Sequence, residues 1–221
     1  MSAVPKLRFP EFDGEWREFR IQELIISYNL GGNYQNGEDQ TNRPLIKMGN
    51  IGRGRIDLSK IQYIPCAEEV DERHLAKFGD LFLNTRNTLD LVGKVAVWRG
   101  ELPAAYYNSN LLCLRFEDNF FANLTLNRRA ALNKIRSIAS GTTSVAAVYT
   151  KDILRLKFAF PSLPEQQKIA SYLSSVDKKI DLLRQKKDAL ELYKKGLMQK
   201  IFSQEIRFKQ DDGSDFPDWE E

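Results

Sequence analysis

Between residues 169 and 201 the apolar side chains keep a strict seven-residue repeat. Ile169, Val176, Leu183, Leu190 and Leu197 form one line, and four residues after each come Leu173, Ile180, Lys187, Lys194 and Ile201. With the first line as d and the second as a, the 4-3 alternation is a coiled-coil seam: it holds one apolar stripe toward a partner helix along the whole segment. At about 1.5 Å per residue the segment makes an arm of about 50 Å. It needs a partner, from within the molecule or from another copy. Lys187 and Lys194 cost stability in the seam and constrain register. The helix entry is Pro161-Ser162-Leu163-Pro164-Glu165-Gln166-Gln167, where Ser162 or Leu163 caps and Pro164 and Glu165 suit the first turn. The expected spacer helix therefore covers residues 161–203.

After this helix the chain begins again. Arg8-Phe9 leads to Asp13-Gly14 and Trp16 near the start; Arg207-Phe208 leads to Asp212-Gly213 and Trp219 near the end. Residues 204–221 thus read as the opening of a second repeat.

Before the helix, residues 1–20 are polar and aromatic without helical period, and read as an extended arm. Ile21, Leu24, Ile25 and Tyr28 have helical spacing, which predicts a short helix over 21–30. Beyond the polar loop that follows come β-like runs at 45–48, 55–58, 80–85, 91–98 and 111–116, separated by Gly- or Asn-rich turns. A helix is expected over 120–139, with Leu124, Leu132, Ile135 and Ile138 inward, and a strand over 154–160. The expected fold class is α+β: a mixed, strand-rich domain over 21–160 followed by a long coiled-coil helix.

Composition fits such a core, at 42% hydrophobic and 29% charged residues. No apolar run reaches the roughly 20 residues of a membrane span. Cys66 and Cys113 match no metal or redox spacing, so the expected setting is reducing and cytoplasmic. Charge is uneven: 22 Lys/Arg against 18 Asp/Glu over 1–163, 9 against 5 over 164–203, and 2 against 7 over 204–221. Residues 119–151 contain Arg128, Arg129, Lys134, Arg136 and Lys151 with no acidic residue. Such a stretch attracts polyanions, although it also describes a solvated helix face.

The sequence offers no catalytic set. His74 is the only histidine, lies among charges with no nucleophile beside it, and reads as a surface residue. Gly49, Gly52 and Gly54 do not open a helix, so they mark a turn rather than a phosphate loop. No metal ligation is expected. The polar inventory suits recognition instead. Asn84, Arg86, Asn87, Asn108 and Asn110 lie in turns between strands, and their side chains can pair bidentately with adenine and guanine edges. Arg53, Arg55, Arg128, Arg129 and Arg136 are candidate phosphate contacts, and Thr142, Thr143 and Ser144 can reach phosphates or bases through hydroxyl and backbone N–H groups. Asn and Gly also favour turns for conformational reasons, so composition leaves both readings open.

Five segments, in order, resemble one family: Leu7-Arg8-Phe9-Pro10-Glu11-Phe12, Gly79-Asp80-Leu81-Phe82-Leu83-Asn84-Thr85-Arg86, Val92-Gly93-Lys94-Val95-Ala96-Val97-Trp98, Ser140-Gly141-Thr142-Thr143 and the proline-flanked helix entry. The chain resembles the specificity subunit of type I restriction-modification enzymes over essentially its full length. The resemblance implies a target-recognition domain that reads one half of a bipartite DNA site, and a spacer helix that pairs antiparallel with a second one. It also implies docking to modification (adenine methyltransferase) subunits, with a motor-nuclease restriction subunit able to join. The chain itself would do no chemistry; S-adenosylmethionine, ATP and Mg would sit on the partner subunits. The departure is a single recognition domain and a single helix, which fits a half-subunit that self-associates through its seam or an N-terminal fragment of a longer protein. The rival reading is a coiled-coil adaptor without DNA reading. Salt dependence separates the two, since only DNA binding weakens steeply with salt.

Overall fold

The structure is a computed structural model and describes residues 4–217. The chain divides into two units, Met1–Ala170 and Ser171–Glu221.

The first unit is organised around four antiparallel strands. β1 (Arg17–Arg20) and a single helical turn, α1 (Ile21–Leu24), lead into β2 (Ile25–Leu30). β3 (Pro44–Ile46), β4 (Gln62–Tyr63), β5 (Leu81–Asn84), β6 (Arg86–Asn87), β7 (Val95–Val97), β8 (Tyr106–Tyr107) and β9 (Leu111–Phe116) follow. The main sheet has the order β2-β9-β5-β7, with Leu81 opposite Leu114 on one side and Val97 on the other. Every residue of β5 and of β7 is buried, because both sheet faces are covered. Leu81, Leu83, Val95, Val97, Leu112 and Leu114 belong to one core cluster; Phe82, Ala96, Leu111 and Cys113 join Trp98 and Tyr107 in another. Doubly covered strands lose the polar alternation of a half-exposed sheet and read as continuous apolar runs.

β3, β4 and β8 form a small sheet on their own. α2 (Asn119–Leu126) and α3 (Arg129–Arg136) supply Phe121, Leu126, Ala131 and Ile135 to the first cluster. β10 (Ser140–Gly141) and β11 (Ala146–Ala147) come next, then α4 (Thr150–Arg155) and β12 (Lys157–Phe160). β12 pairs antiparallel with β1, Phe160 opposite Arg17, and leads into α5 (Leu163–Phe202), whose first turns belong to the first unit.

Three expectations are corrected. The helix over 21–30 lasts one turn, because five residues of β2 pair with β9 and take over the backbone hydrogen bonding. The helix over 120–139 is two helices: Asn127 turns its amide onto the Asn123 and Val95 carbonyls, and Arg128 is extended at φ −64°, ψ 142°. The strand over 154–160 begins as the end of α4. His74 also departs from a surface role. It is half-buried, with Nδ1 2.6 Å from the Tyr34 hydroxyl, and burial lowers its pKa.

The arm is fastened at one carboxylate. Glu165, in the first turn of α5, is 1% exposed. It accepts from Arg8 Nε and Nη2, both at 2.7 Å, and from the Trp16 indole at 3.2 Å. Arg8 also donates to the Gly14 carbonyl, so the arginine closes its own segment while gripping the helix. In the similar sequence near the end of the chain Arg207 donates to the Phe216 and Pro217 carbonyls; Trp219 lies outside the described residues. The Arg8 hydrogen bonds, aided by Trp16 and opposed by burial, hold Glu165 below its ordinary value of 4.5. A lowered carboxylate pKa contributes stability above the ordinary value and loses it as pH falls through the folded one. Acidification below that range is therefore expected to free the arm, seen as a shift of the Trp16 indole resonance. Glu165→Gln should abolish this transition; an identical acid transition in that variant would refute the assignment.

α5 is the long helix the heptads require, 40 residues or about 60 Å. Its seam is exposed: Leu183 and Leu190 are each 55% accessible. Among the described residues no helix is long and apolar enough to cross a membrane.

Candidate nucleic-acid interface

Just beyond the fully buried β5 the chain is handed to a separate ribbon. The Asn84 side chain is fully buried, accepts from the Arg86 N–H at 3.2 Å and donates to the Leu91 carbonyl at 3.4 Å. Next to it, the Thr85 N–H and hydroxyl both donate to the Asn110 carbonyl, at 2.9 and 2.8 Å, and the Thr85 carbonyl accepts from the Val148 N–H. These anchors set β6 beside β11 in a three-stranded sheet of order β10-β11-β6, with Ala147 opposite Arg86 and Ala146 opposite Asn87. The β10–β11 hairpin closes through the Thr142 N–H to the Val145 carbonyl at 2.9 Å. Gly141 is required here: its φ is +115°, and a Cβ would lie 2.3 Å from the Val145 carbonyl oxygen. The hairpin tip is exposed, with the Thr142 and Ser144 hydroxyls 3.1 Å apart, and the Thr143 carbonyl accepts from the Leu89 N–H.

The ribbon thus brings together Arg86, Asn87, Thr142 and Thr143. Arg86 is exposed; Asn87 is half-buried, and its side-chain oxygen accepts from the Thr88 N–H. A second group is basic. The turn carrying Arg53 and Arg55 is pinned at Gly54, whose N–H donates to the Val95 carbonyl and whose carbonyl accepts from Arg99 at 3.0 Å. That glycine lies against the Asn123 and Asn127 side chains, so the turn abuts the end of α2, where Arg128 and Arg129 follow. All four arginines of this corner are exposed.

The remaining candidates lie outside these two groups. Asn84 is fully buried. Asn108 and Asn110 are half-buried in the turn between β8 and β9, where the Asn108 side-chain oxygen accepts from the Asn110 N–H at 3.3 Å and the Asn110 backbone carbonyl accepts from Thr85. Arg136 is half-buried and donates to the Asp90 carbonyl, clamping the 88–92 loop rather than reaching outward. Residue chemistry alone missed Val145 and Tyr149, 61% and 53% exposed on and just after the ribbon. Apolar groups there can meet a thymine methyl or a base face. The signal was an apolar residue inside the Thr-Thr-Ser turn, where conformation asks for none.

Chemistry at the core is quiet. Burial pushes the Cys113 thiol up to about 12, so it stays protonated at neutral pH and is no nucleophile. Among the described residues no three His, Cys, Asp or Glu side chains gather as a metal site.

Comparison with known proteins agrees with this architecture. Residues 14–192 match the family described as type I restriction modification DNA specificity domain. A protein of Methanocaldococcus jannaschii named as the MjaX specificity subunit of a type I restriction enzyme is 25% identical over 97% of this chain and 53% of its own length. The MjaVIII specificity subunit from the same organism is 23% identical over 94% of this chain and 50% of its own. Among solved structures, the type I restriction-modification S subunit from M. genitalium superposes with a TM-score of 0.63 at 16% identity, over 92% of this chain and 49% of that one. The chain spans about half the length of the curated relatives it matches. With more than half of its residues inside that match, the chain belongs to the type I restriction-modification DNA specificity family.

Proposed function

We propose that this chain reads one half of a bipartite DNA target and brings modification subunits to it, with two copies joined through the α5 seam. The observation that carries the reading is the ribbon, which sets a guanidinium and an amide at 86 and 87 beside the hydroxyl-bearing tip at 142–144. A two-stranded ribbon such as the β10–β11 hairpin fits the major groove, where arginine pairs with guanine and asparagine with adenine. The arginine corner at 53, 55, 128 and 129 would meet phosphates, fixing register without reading sequence. Adenine methylation, with its S-adenosylmethionine, would belong to the modification subunits, and ATP and Mg to a motor-nuclease subunit where one joins. The exposed seam offers the second copy its attachment, and two identical half-sites would then form an interrupted palindrome.

Binding of the full chain to duplexes selected from a random pool tests this. Affinity should fall steeply with salt, in proportion to the phosphates neutralised. Arg86→Ala should weaken the selected target by about 1–3 kcal/mol and leave random DNA nearly unchanged, while Arg129→Ala should weaken both and flatten the salt slope. Equal losses on both DNAs for Arg86→Ala would make it a phosphate contact. Binding indifferent to salt would leave the adaptor reading standing.

A further inference from the structure

Lys187 and Lys194 occupy successive a positions, and they restrict how two copies can meet. In a parallel pair with matched ends each a residue faces its own copy, so two neighbouring layers would set lysine against lysine. In an antiparallel pair a faces d, and each lysine can face an apolar side chain. The flanking e and g positions then choose among the possible staggers, because antiparallel helices bring e beside e and g beside g.

Asp177, Arg184 and Glu191 are the charged e residues that matter here, and Lys179, Lys186 and Lys200 are the charged g residues. Setting Lys187 against the partner's Leu183 puts Arg184 beside the partner's Arg184, Lys186 beside the partner's Lys186, and Asp177 beside the partner's Glu191. All of these repel. Setting Lys187 against the partner's Val176 pairs Asp177 with the partner's Arg184 but brings Lys179 beside the partner's Lys186. It also needs Ile169, which already packs on its own core, and strands Leu197 and Ile201 outside the overlap. Setting Lys187 against the partner's Leu190 places Arg184 beside the partner's Glu191 on both sides of the axis; its like-charge contact, Lys179 beside the partner's Lys200, is eased by Glu205, whose Oε1 lies 3.0 Å from Lys200 Nζ. Lys194 then faces the partner's Leu183, Ile180 the partner's Leu197, and Val176 the partner's Ile201.

We infer that two copies join antiparallel in this last register, with the twofold axis between Asp188 and Ala189 and a reciprocal Arg184–Glu191 latch flanking it. The inference rests on the two-copy reading above and fixes its geometry. The single chain is already set for it: Lys187 Nζ lies 3.4 Å from Glu191 Oε1, so the lysine leans from the seam toward its rim. Its methylene stem can then cover the partner's Leu190 while the ammonium stays in water. Glu191 would stand between its own Lys187 and the partner's Arg184. The present partner of Arg184 is Asp181 at 3.6 Å, an exposed pair of small worth that offers little competition.

Oxidative cross-linking of full-length chains reads the register directly. Cys66, which is exposed, is first replaced by serine; Cys113 is buried and can stay. Chains carrying Leu183→Cys, mixed with chains carrying Lys194→Cys, should form a disulfide-linked heterodimer, whereas Leu183→Cys mixed with Lys187→Cys should not. The reverse pattern would overturn the register. Glu191→Arg should weaken the dimer about 3- to 10-fold, and adding Arg184→Glu should restore it, as two exposed pairs predict. A tighter dimer from Glu191→Arg would favour the stagger that sets Glu191 against Asp177 and refute the latch. An unmodified chain that sediments as a monomer would instead sink the two-copy reading itself.

Discussion

A chain carrying both Ile180→Asp and Leu197→Asp is expected to sediment as a monomer at every accessible concentration. In the antiparallel register above these two positions face each other across the seam, and burying each side chain contributes about 1.5–3 kcal/mol. Two copies lose four of them and set four carboxylates against one another, so the dissociation constant should rise by at least about a thousandfold. The first unit has its own core and should melt as before, because both positions lie in the second unit. DNA with two half-sites should then bind no better than DNA with one, since the gain from linked sites disappears. A double variant that still sediments as a dimer would show that the seam is not the joint.

The second large effect is expected from Arg115→Ala. Arg115, on β9, donates through Nε to Asp80 Oδ1 at 2.6 Å and through Nη2 to Oδ2 at 3.0 Å. The Asp80 side chain is 3% exposed and also accepts from the Lys77 N–H, which fixes the approach to β5. The same hydrogen bonds hold the Arg115 guanidinium above its ordinary pKa, so charge is lost at no accessible pH. Removing the arginine leaves a buried carboxylate with one backbone donor. The expected cost is about 3 kcal/mol, the low end for breaking a buried pair, because a third of Arg115 remains in water. Arg115→Lys should recover only part of it, since an ammonium cannot reproduce the two-pronged contact. Urea midpoints measure both; a loss below about 1 kcal/mol for Arg115→Ala would show that water already satisfies Asp80.

How much of this was legible in sequence follows from the range of the interactions. The long helix is local periodicity: the seven-residue repeat over residues 169–201 predicts it, and α5 spans Leu163–Phe202. The α+β class was legible for a similar reason, since the runs at β5, β7 and β9 are dense in apolar residues. Residues 21–30 misled because one helical turn and a strand share the same isoleucines, and pairing with β9, far along the chain, decides between them. The ribbon was beyond local signals altogether. Its strands are two residues each, and β6 meets β11 across some sixty residues of sequence. Asparagine chemistry could nominate Asn84 as readily as Asn87, yet depth separates them: one side chain lies under the ribbon and the other on it. Arg136 shows the same limit, because an acid-free stretch does not tell which of its arginines will donate to a carbonyl.

The ribbon also bears on the calorimetry of recognition. Its backbone is closed by the Thr142–Val145, Leu89–Thr143 and Val148–Thr85 hydrogen bonds and rests on the buried Asn84 amide. The conformational entropy of shaping this reader is therefore spent during folding, before any DNA arrives. Association then loses rigid-body motion and a few rotamers of Arg86 and Asn87, but no loop has to freeze. The heat-capacity change of binding should track the modest surface covered and lack the large negative excess of coupled folding, so affinity would vary gently with temperature.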